Sequence, residues 1–214
     1  MNSIRLHVRR ALPALAVTLL SGLTLLPEAA QAQWSVGGSG YGSSVSVLGT
    51  TTQSPVASLP SDGGYAVGEA RTFGVPSTVA AEWLTAVTTG SVSPGDSPSS
   101  QTVSEVENVN ILDGLVTADA VTAVASSYVG SAGAASNATG SGFVNLVVNG
   151  VAYTTEVAPN TRVDIPLVGS VVLNEQIPSG DGTSSSGIQV NMIHVRLLNG
   201  GEIVLGSASS SVAR

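Results

Sequence analysis

Asn149-Gly150 stands between two runs in which apolar and polar residues alternate, Phe143–Val148 and Val151–Val157. Both residues of that dipeptide tolerate the positive φ of a type I′ turn, whose twist matches paired strands, so the segment is predicted to be a β-hairpin. The turn sets the register: Val148 faces Val151, Leu146 faces Tyr153 and Val144 faces Thr155. Successive strand side chains point to opposite faces. Val144, Leu146, Val148, Val151, Tyr153 and Val157 are therefore expected to share a buried face, opposite Asn145, Thr154 and Glu156, with Phe143 and Val147 also on the wetter side.

The same period of two recurs along the chain. Ile188–Leu198, Asn199-Gly200-Gly201 and Glu202–Leu205 read as a second hairpin. Its first strand is apolar on both faces, with Ile193, Val195 and Leu197 on one and Ile188, Val190 and Met192 on the other, which predicts a central strand covered twice. Further strands are expected at Tyr41–Leu48, Gly64–Phe73, Arg162–Ile165 and Val168–Leu173, with two more in Val103–Tyr128 bent at Asp113-Gly114. In Ser77–Thr88 the spacing of Val79, Trp83, Leu84 and Val87 suits a helix, but the crowding of Thr and Val favours a strand. Ser91–Gln101 and Ser179–Gly187 lack apolar anchors and are expected to be mobile surface loops. The fold class expected is all-β, an antiparallel β-sandwich, with a β-barrel or β-helix as the alternative architectures.

Arg5, Arg9 and Arg10 precede an apolar run, Ala11–Leu26, that a Pro27-Glu28 break separates from Ala30-Gln31-Ala32. This is the pattern of a secretory signal peptide over residues 1–32, with cleavage after Ala32. Residues 33–214 are then a single β-rich extracytoplasmic domain, secreted or associated with the cell surface. That part carries four arginines against thirteen acids, a net charge of −9, and the chain has no lysine. So few cations cannot neutralise a phosphate backbone, and an acidic surface is repelled by anionic lipid, so nucleic acid and membrane surfaces are poor candidate partners, and no membrane span is expected after cleavage. Without lysine there is no Schiff base and no lysine isopeptide cross-link. Without cysteine there is no disulfide, thiolate metal site or lipid-modified cysteine.

The groups available for chemistry are few. His194 is the only histidine after Ala32, and no Gly-x-Ser-x-Gly elbow is present. His194 lies two residues from Arg196 on one predicted strand face, where a histidine satisfied by a neighbour is the plainer reading and a general base the sharper one. Glu105 and Glu107 also share a face, as glycosidase carboxylates and ordinary wet strand faces both do. Asp181, or Asp113 with Asp119, offer oxygen to a hard cation, but neither has the spacing of a calcium loop. Trp83 or Tyr128, if exposed, present rings on which sugars stack; filling the core is the commoner use. No catalytic residue, metal site or cofactor is expected. Asn174-Glu175-Gln176 is the one polar triplet singled out. It follows apolar strand residues, where such side chains cap turns and bond backbone amides, or else contact a ligand or subunit.

Gly40–Leu48, Gly114–Val121, the Val148-Asn-Gly-Val151 turn with Ala158-Pro-Asn-Thr161, and Val171–Gln176 together resemble the choice-of-anchor P family of exported bacterial proteins. The resemblance implies a surface-associated β-rich domain and brings no catalytic residues. Ser207–Arg214 holds no sortase-type motif or apolar tail, so no anchor of that kind is expected there. The function expected is a non-catalytic structural or adhesive domain that associates with itself, the envelope or an extracellular polymer. A carbohydrate-binding module, or a hydrolase running on two carboxylates, is the alternative.

Overall fold

A computed structural model describes residues 33–93 and 97–214. The predicted signal peptide and residues 94–96 lie outside the described residues; of the predicted Ser91–Gln101 loop, Ser91 and Ser99–Gln101 are strand instead, paired across β4 and β5. The long strands are β1 (Ser35–Val47), β2 (Thr50–Ser58), β3 (Gly64–Val75), β4 (Val79–Ser91), β5 (Ser99–Ile111) and β6 (Val116–Gly130). Short strands follow at β7 (Gly133–Asn137), β8 (Gly142–Val144), β9 (Val147–Val148), β10 (Val151–Ala152) and β11 (Thr161–Ile165). The chain closes with β12 (Gly169–Gly180), β13 (Ser185–Leu197) and β14 (Glu202–Ala213). A six-stranded sheet runs β11-β12-β13-β14-β1-β2, and an eight-stranded one runs β10-β9-β6-β5-β4-β3 with β7 and β8 paired to β6. Every pairing is antiparallel, and the two sheets pack face to face without closing. The fold is a β-sandwich, not a barrel or a β-helix.

Within Ser77–Thr88 the chain is strand from Val79 onward, as its Thr and Val content favours, with Ser77 and Thr78 in the turn before it. The Asn149-Gly150 turn has φ of 48° and 78°, and Val148 pairs with Val151 as predicted. The face assignment there fails in part. Leu146 and Val148 are buried, but Val144 and Val151 are exposed and Phe143 is buried instead. Asn145 has φ of 51°, which interrupts the alternation, so that Phe143 and Leu146, an odd number apart, both turn inward. Ser179–Gly187 is mostly strand rather than loop. Only Asp181–Ser184 turns, and the Asp181 carboxylate accepts the N–H groups of Thr183, Ser184 and Ser185.

Similar reversals cross both sheets. Between the paired rows Tyr41–Ser207–Asn191–Glu175 and Ser43–Leu205–Ile193–Leu173 lies one unpaired row, Gly42–Gly206–Met192–Asn174. Gly206 and Asn174 have φ of 64° and 49°. In the opposite sheet Trp83 and Asn108 have φ of 48° and 51°, and the β4–β5 register shifts on both sides of Glu82. Past these points inward residues change parity. Val109 and Ile111 face the core at one end of β5, whereas Ser104 and Val106 do so at the other. Asn and Gly enter the left-handed region at little cost, but a bulky Trp there is a true outlier. Each sheet is thus creased across its middle.

Candidate functional site

The crease brings one polar cluster together. Strict alternation would put Asn191 and His194 on opposite faces of β13; the reversal at Met192 sets both on the outer face of the six-stranded sheet. Asn191 Nδ2 donates to Glu175 Oε2 at 2.8 Å, and Ser207 Oγ donates to Asn191 Oδ1 at 2.8 Å. His194 Nδ1 lies 2.8 Å from the same Glu175 oxygen, and Arg196 Nη2 donates to Glu175 Oε1 at 2.7 Å. Glu175, Asn191, His194 and Ser207 are all buried. Burial pushes the Glu175 carboxyl up, but the hydrogen bonds from Asn191 and His194 and the adjacent Arg196 charge more than offset it and hold it below the usual range. Burial raises Tyr41, at the end of the row, and the Glu175 and Glu202 charges add to this against the hydrogen bond with Ser207.

Of the predicted triplet, Glu175 is the hub of this cluster and its neighbours hold a loop. Asn174 Nδ2 donates to the Val157 carbonyl at 2.7 Å, the Gln176 N–H to Asn160 Oδ1 at 2.9 Å, and Gln176 Nε2 to Asn174 Oδ1 at 3.0 Å. His194 Nδ1–H donates to Glu175, with Arg196 Nη2 3.2 Å from the same nitrogen; its Nε2 is buried without a hydrogen-bond partner, 3.8 Å from Glu202 Oε1. A general base must present its lone pair to a substrate proton, and this one faces the protein. No serine hydroxyl bonds His194 among the described residues, so no serine relay is assembled. Among them, too, no three of His, Asp and Glu are placed to hold a metal ion. Glu105 and Glu107 share the exposed outer face of the eight-stranded sheet, where Glu107 stands opposite Glu82. Asp119 accepts a 2.6 Å bond from Asn145, and Asp181 caps its own turn. The Ser184 hydroxyl and the N–H groups of Thr183 and Ser185 hold the Asp181 carboxyl far below the usual range.

A second surface lies on that same outer face. Neither Trp83 nor Tyr128 fills the core: Tyr65, Trp83 and Tyr128 are 78%, 50% and 44% exposed. Inward Leu84, Ala86 and Thr88 leave Trp83 pointing out from β4, and the buried Ser127 does the same for Tyr128 on β6. Val67, Val87, Val103 and Val124 stand opposite one another across β3, β4, β5 and β6, forming an apolar row between the rings. The Arg71 guanidinium lies 4.7 Å above the Trp83 ring, and Glu69, Arg71, Trp83 and Thr85 line a shallow open depression. Alternation alone does not reveal this face, because Trp83 and Leu84 are adjacent apolar residues and the choice between them depends on the crease.

The chain is a two-sheet antiparallel β-sandwich with a self-bonded polar cluster on one outer face and exposed rings on the other. It belongs to the family described as a domain of unknown function (DUF8256), whose match covers residues 35–176. The matched stretch contains Tyr65, Trp83, Tyr128 and Glu175; Asn191, His194, Arg196 and Ser207 lie beyond it. No curated protein matches the chain, and no solved structure does.

Proposed function

We propose that the protein is an exported, non-catalytic adhesive domain that holds an extracellular glycan on the outer face of its eight-stranded sheet, as a surface protein of the choice-of-anchor P kind would. The observation that carries this reading is the exposure of Tyr65, Trp83 and Tyr128 on one sheet face, with the Val67–Val124 row between them. A flat aromatic face stacks on the apolar side of a pyranose ring. The left-handed backbone at Trp83 supports the same reading, since strained positions concentrate at binding sites. The acidic chain disfavours anionic partners and leaves neutral polysaccharides as the fitting class. Co-sedimentation of the purified protein with insoluble glycans and with cell-envelope material tests it. The wild type is expected to sediment with at least one glycan, and Trp83→Ala with Tyr128→Ala to lower the bound fraction about tenfold, as loss of stacking would. Equal binding by the doubly substituted chain, or no binding by the wild type, would sink the proposal.

A further inference from the structure

The two sheets end on four outermost strands, β11 and β2 in one and β10 and β3 in the other, with the short β7 and β8 also open along β6. Three of the four are blunted in ways that disfavour pairing with another chain. β10 is two residues long. β11 is five residues long and carries an outward Arg162–Asp164 ion pair at 2.7 Å. β2 contains Pro55, which has no N–H to give. β3 is different: it runs twelve residues without proline, and among the described residues its backbone bonds to no strand other than β4. From this contrast we infer that β3 is a pairing edge and that its occupant is the β3 of a second copy, joined antiparallel about a two-fold axis at Ala70.

The charge pattern selects both partner and register. With the axis at Ala70, Glu69 stands opposite the partner's Arg71 and Arg71 opposite the partner's Glu69, giving two cross-strand ion pairs from one strand. Glu69 and Arg71 are exposed on the same outer face, and directly opposed side chains in an antiparallel pair have Cβ atoms about 4.5–5.5 Å apart. Shifting the axis to Glu69 or to Arg71 sets like charges against each other, so neighbouring registers are disfavoured. Arg71 stays able to take part because stacking on Trp83 uses the face of its guanidinium and leaves the N–H edge for a carboxylate. No other acidic or basic side chain lies between Gly64 and Val75 to disturb the pattern. The dimer merges two eight-stranded sheets and sets their aromatic faces side by side. This inference does not depend on what those faces bind.

The test is sedimentation-equilibrium mass measurement of the full chain, produced with its own N-terminal segment in an exporting host, over a range of concentrations. A reversible dimer is expected. Glu69→Arg and Arg71→Glu should each weaken it about tenfold or more, as opposing like charges do, and the double exchange should restore it. Circular dichroism checks that each variant is folded. Because the chain has no cysteine, Ala70→Cys gives a second readout that alters no charge. Oxidation should link two copies at the axis, where paired Cα atoms fall within disulfide reach, faster than it links Thr52→Cys on exposed β2. A monomer at millimolar concentration overturns the inference. So does a dimer indifferent to both charge reversals, or an Ala70→Cys chain that links no faster than Thr52→Cys.

Discussion

The two halves of the sandwich interior, divided by the crease, are built from different chemistry. On one side Phe143, Leu146, Ile111, Leu173, Ile193, Ile203 and Leu205 are fully or almost fully buried among valines. On the other, small and hydroxyl-bearing inward residues, Ala86, Thr88, Ser100, Thr102, Ser104, Ala123, Ala125, Ser127, Ala208 and Ser210, are buried alongside Val36, Ile188, Val190 and Val212. There the sheets come closer. A Cβ on Gly40 would meet Thr102 Cγ2 at 2.8 Å, and one on Gly38 would collide with the Thr88 hydroxyl. Hydroxyls bridge the remaining space. Within the eight-stranded sheet Thr102 donates to Thr88 and Ser127 bonds Ser136, both at 2.8 Å; across to the other sheet Ser104 donates to the Tyr41 carbonyl at 2.9 Å and Ser127 bonds Ser210 at 2.7 Å. Ser136 continues the chain to Ser186 at 2.8 Å. A buried hydroxyl costs free energy unless it is bonded, so the bonds let this half trade apolar volume for short inter-sheet distances and geometric specificity. One sandwich thus rests on large aliphatic side chains at one end and adds hydrogen-bonded hydroxyls to a thinner apolar layer at the other.

The comparison breaks first if the aliphatic half does not carry the larger energy. Leu173→Ala, at a fully buried site of β12, removes apolar contact and leaves a cavity, so a loss of about 2–5 kcal/mol is expected. Urea unfolding followed by tryptophan fluorescence measures it. Ala123→Gly on the hydroxyl side deletes one methyl and is expected to cost about 1 kcal/mol. Equal losses at the two sites would mean that the halves do not differ in how they are held.

A middle-sized effect isolates the hydroxyl chain. Ser127→Ala strands the buried Ser210 hydroxyl, while Ser136 keeps Ser186, and an unpaired buried hydroxyl costs about 1–3 kcal/mol. Ser210→Ala alone should cost a similar amount, and the double substitution less than the sum, because the second change removes the group the first had stranded. Additive losses in that double-mutant cycle would dissolve the network into unrelated bonds.

Sequence reading reaches most of the strands and both hairpin turns because these depend on local chemistry, as at Asn149-Gly150 and the Asp113-Gly114 bend. It does not reach the crease. Alternation assumes extended backbone at every residue, so one left-handed position exchanges faces for everything beyond it; this is why Val144 and Phe143 swap places across Asn145. Asn108, Asn145, Asn174 and Gly206 were available signals, since such residues are rare within strands except where the backbone needs them. Trp83 offered none. The triplet Asn174-Glu175-Gln176 was visible as an oddity at the end of an apolar run, yet the partners of Glu175 come from β13 and β14 through register and crease together. Trp83 and Tyr128 were visible as candidate rings, but the outward turn of Trp83 depends on its left-handed backbone, which alternation does not show.

The smallest expected effect separates the interior from the surface laid over it. The hydroxyl half contains no titratable side chain among the bonds described above, so its contribution should not vary between neutral and mildly acidic pH. The outer cluster should vary. The folded-state pKa of Glu175 lies below its ordinary value of 4.5, so the folded protein resists protonating it. Its contribution is complete above 4.5 and is lost as pH falls through the lower folded value. Glu175→Gln replaces the carboxylate with a neutral group of the same shape. It is expected to cost about 1 kcal/mol at pH 7, with the difference from wild type shrinking below pH 4.5. Asp181, whose carboxyl is also held low, is unchanged in both proteins, so its part cancels when the two pH profiles are subtracted. A Glu175→Gln protein whose deficit stays constant into acid would mean that Glu175 acts through shape and hydrogen bonding rather than charge. The outer cluster would then resemble the hydroxyl network beneath it.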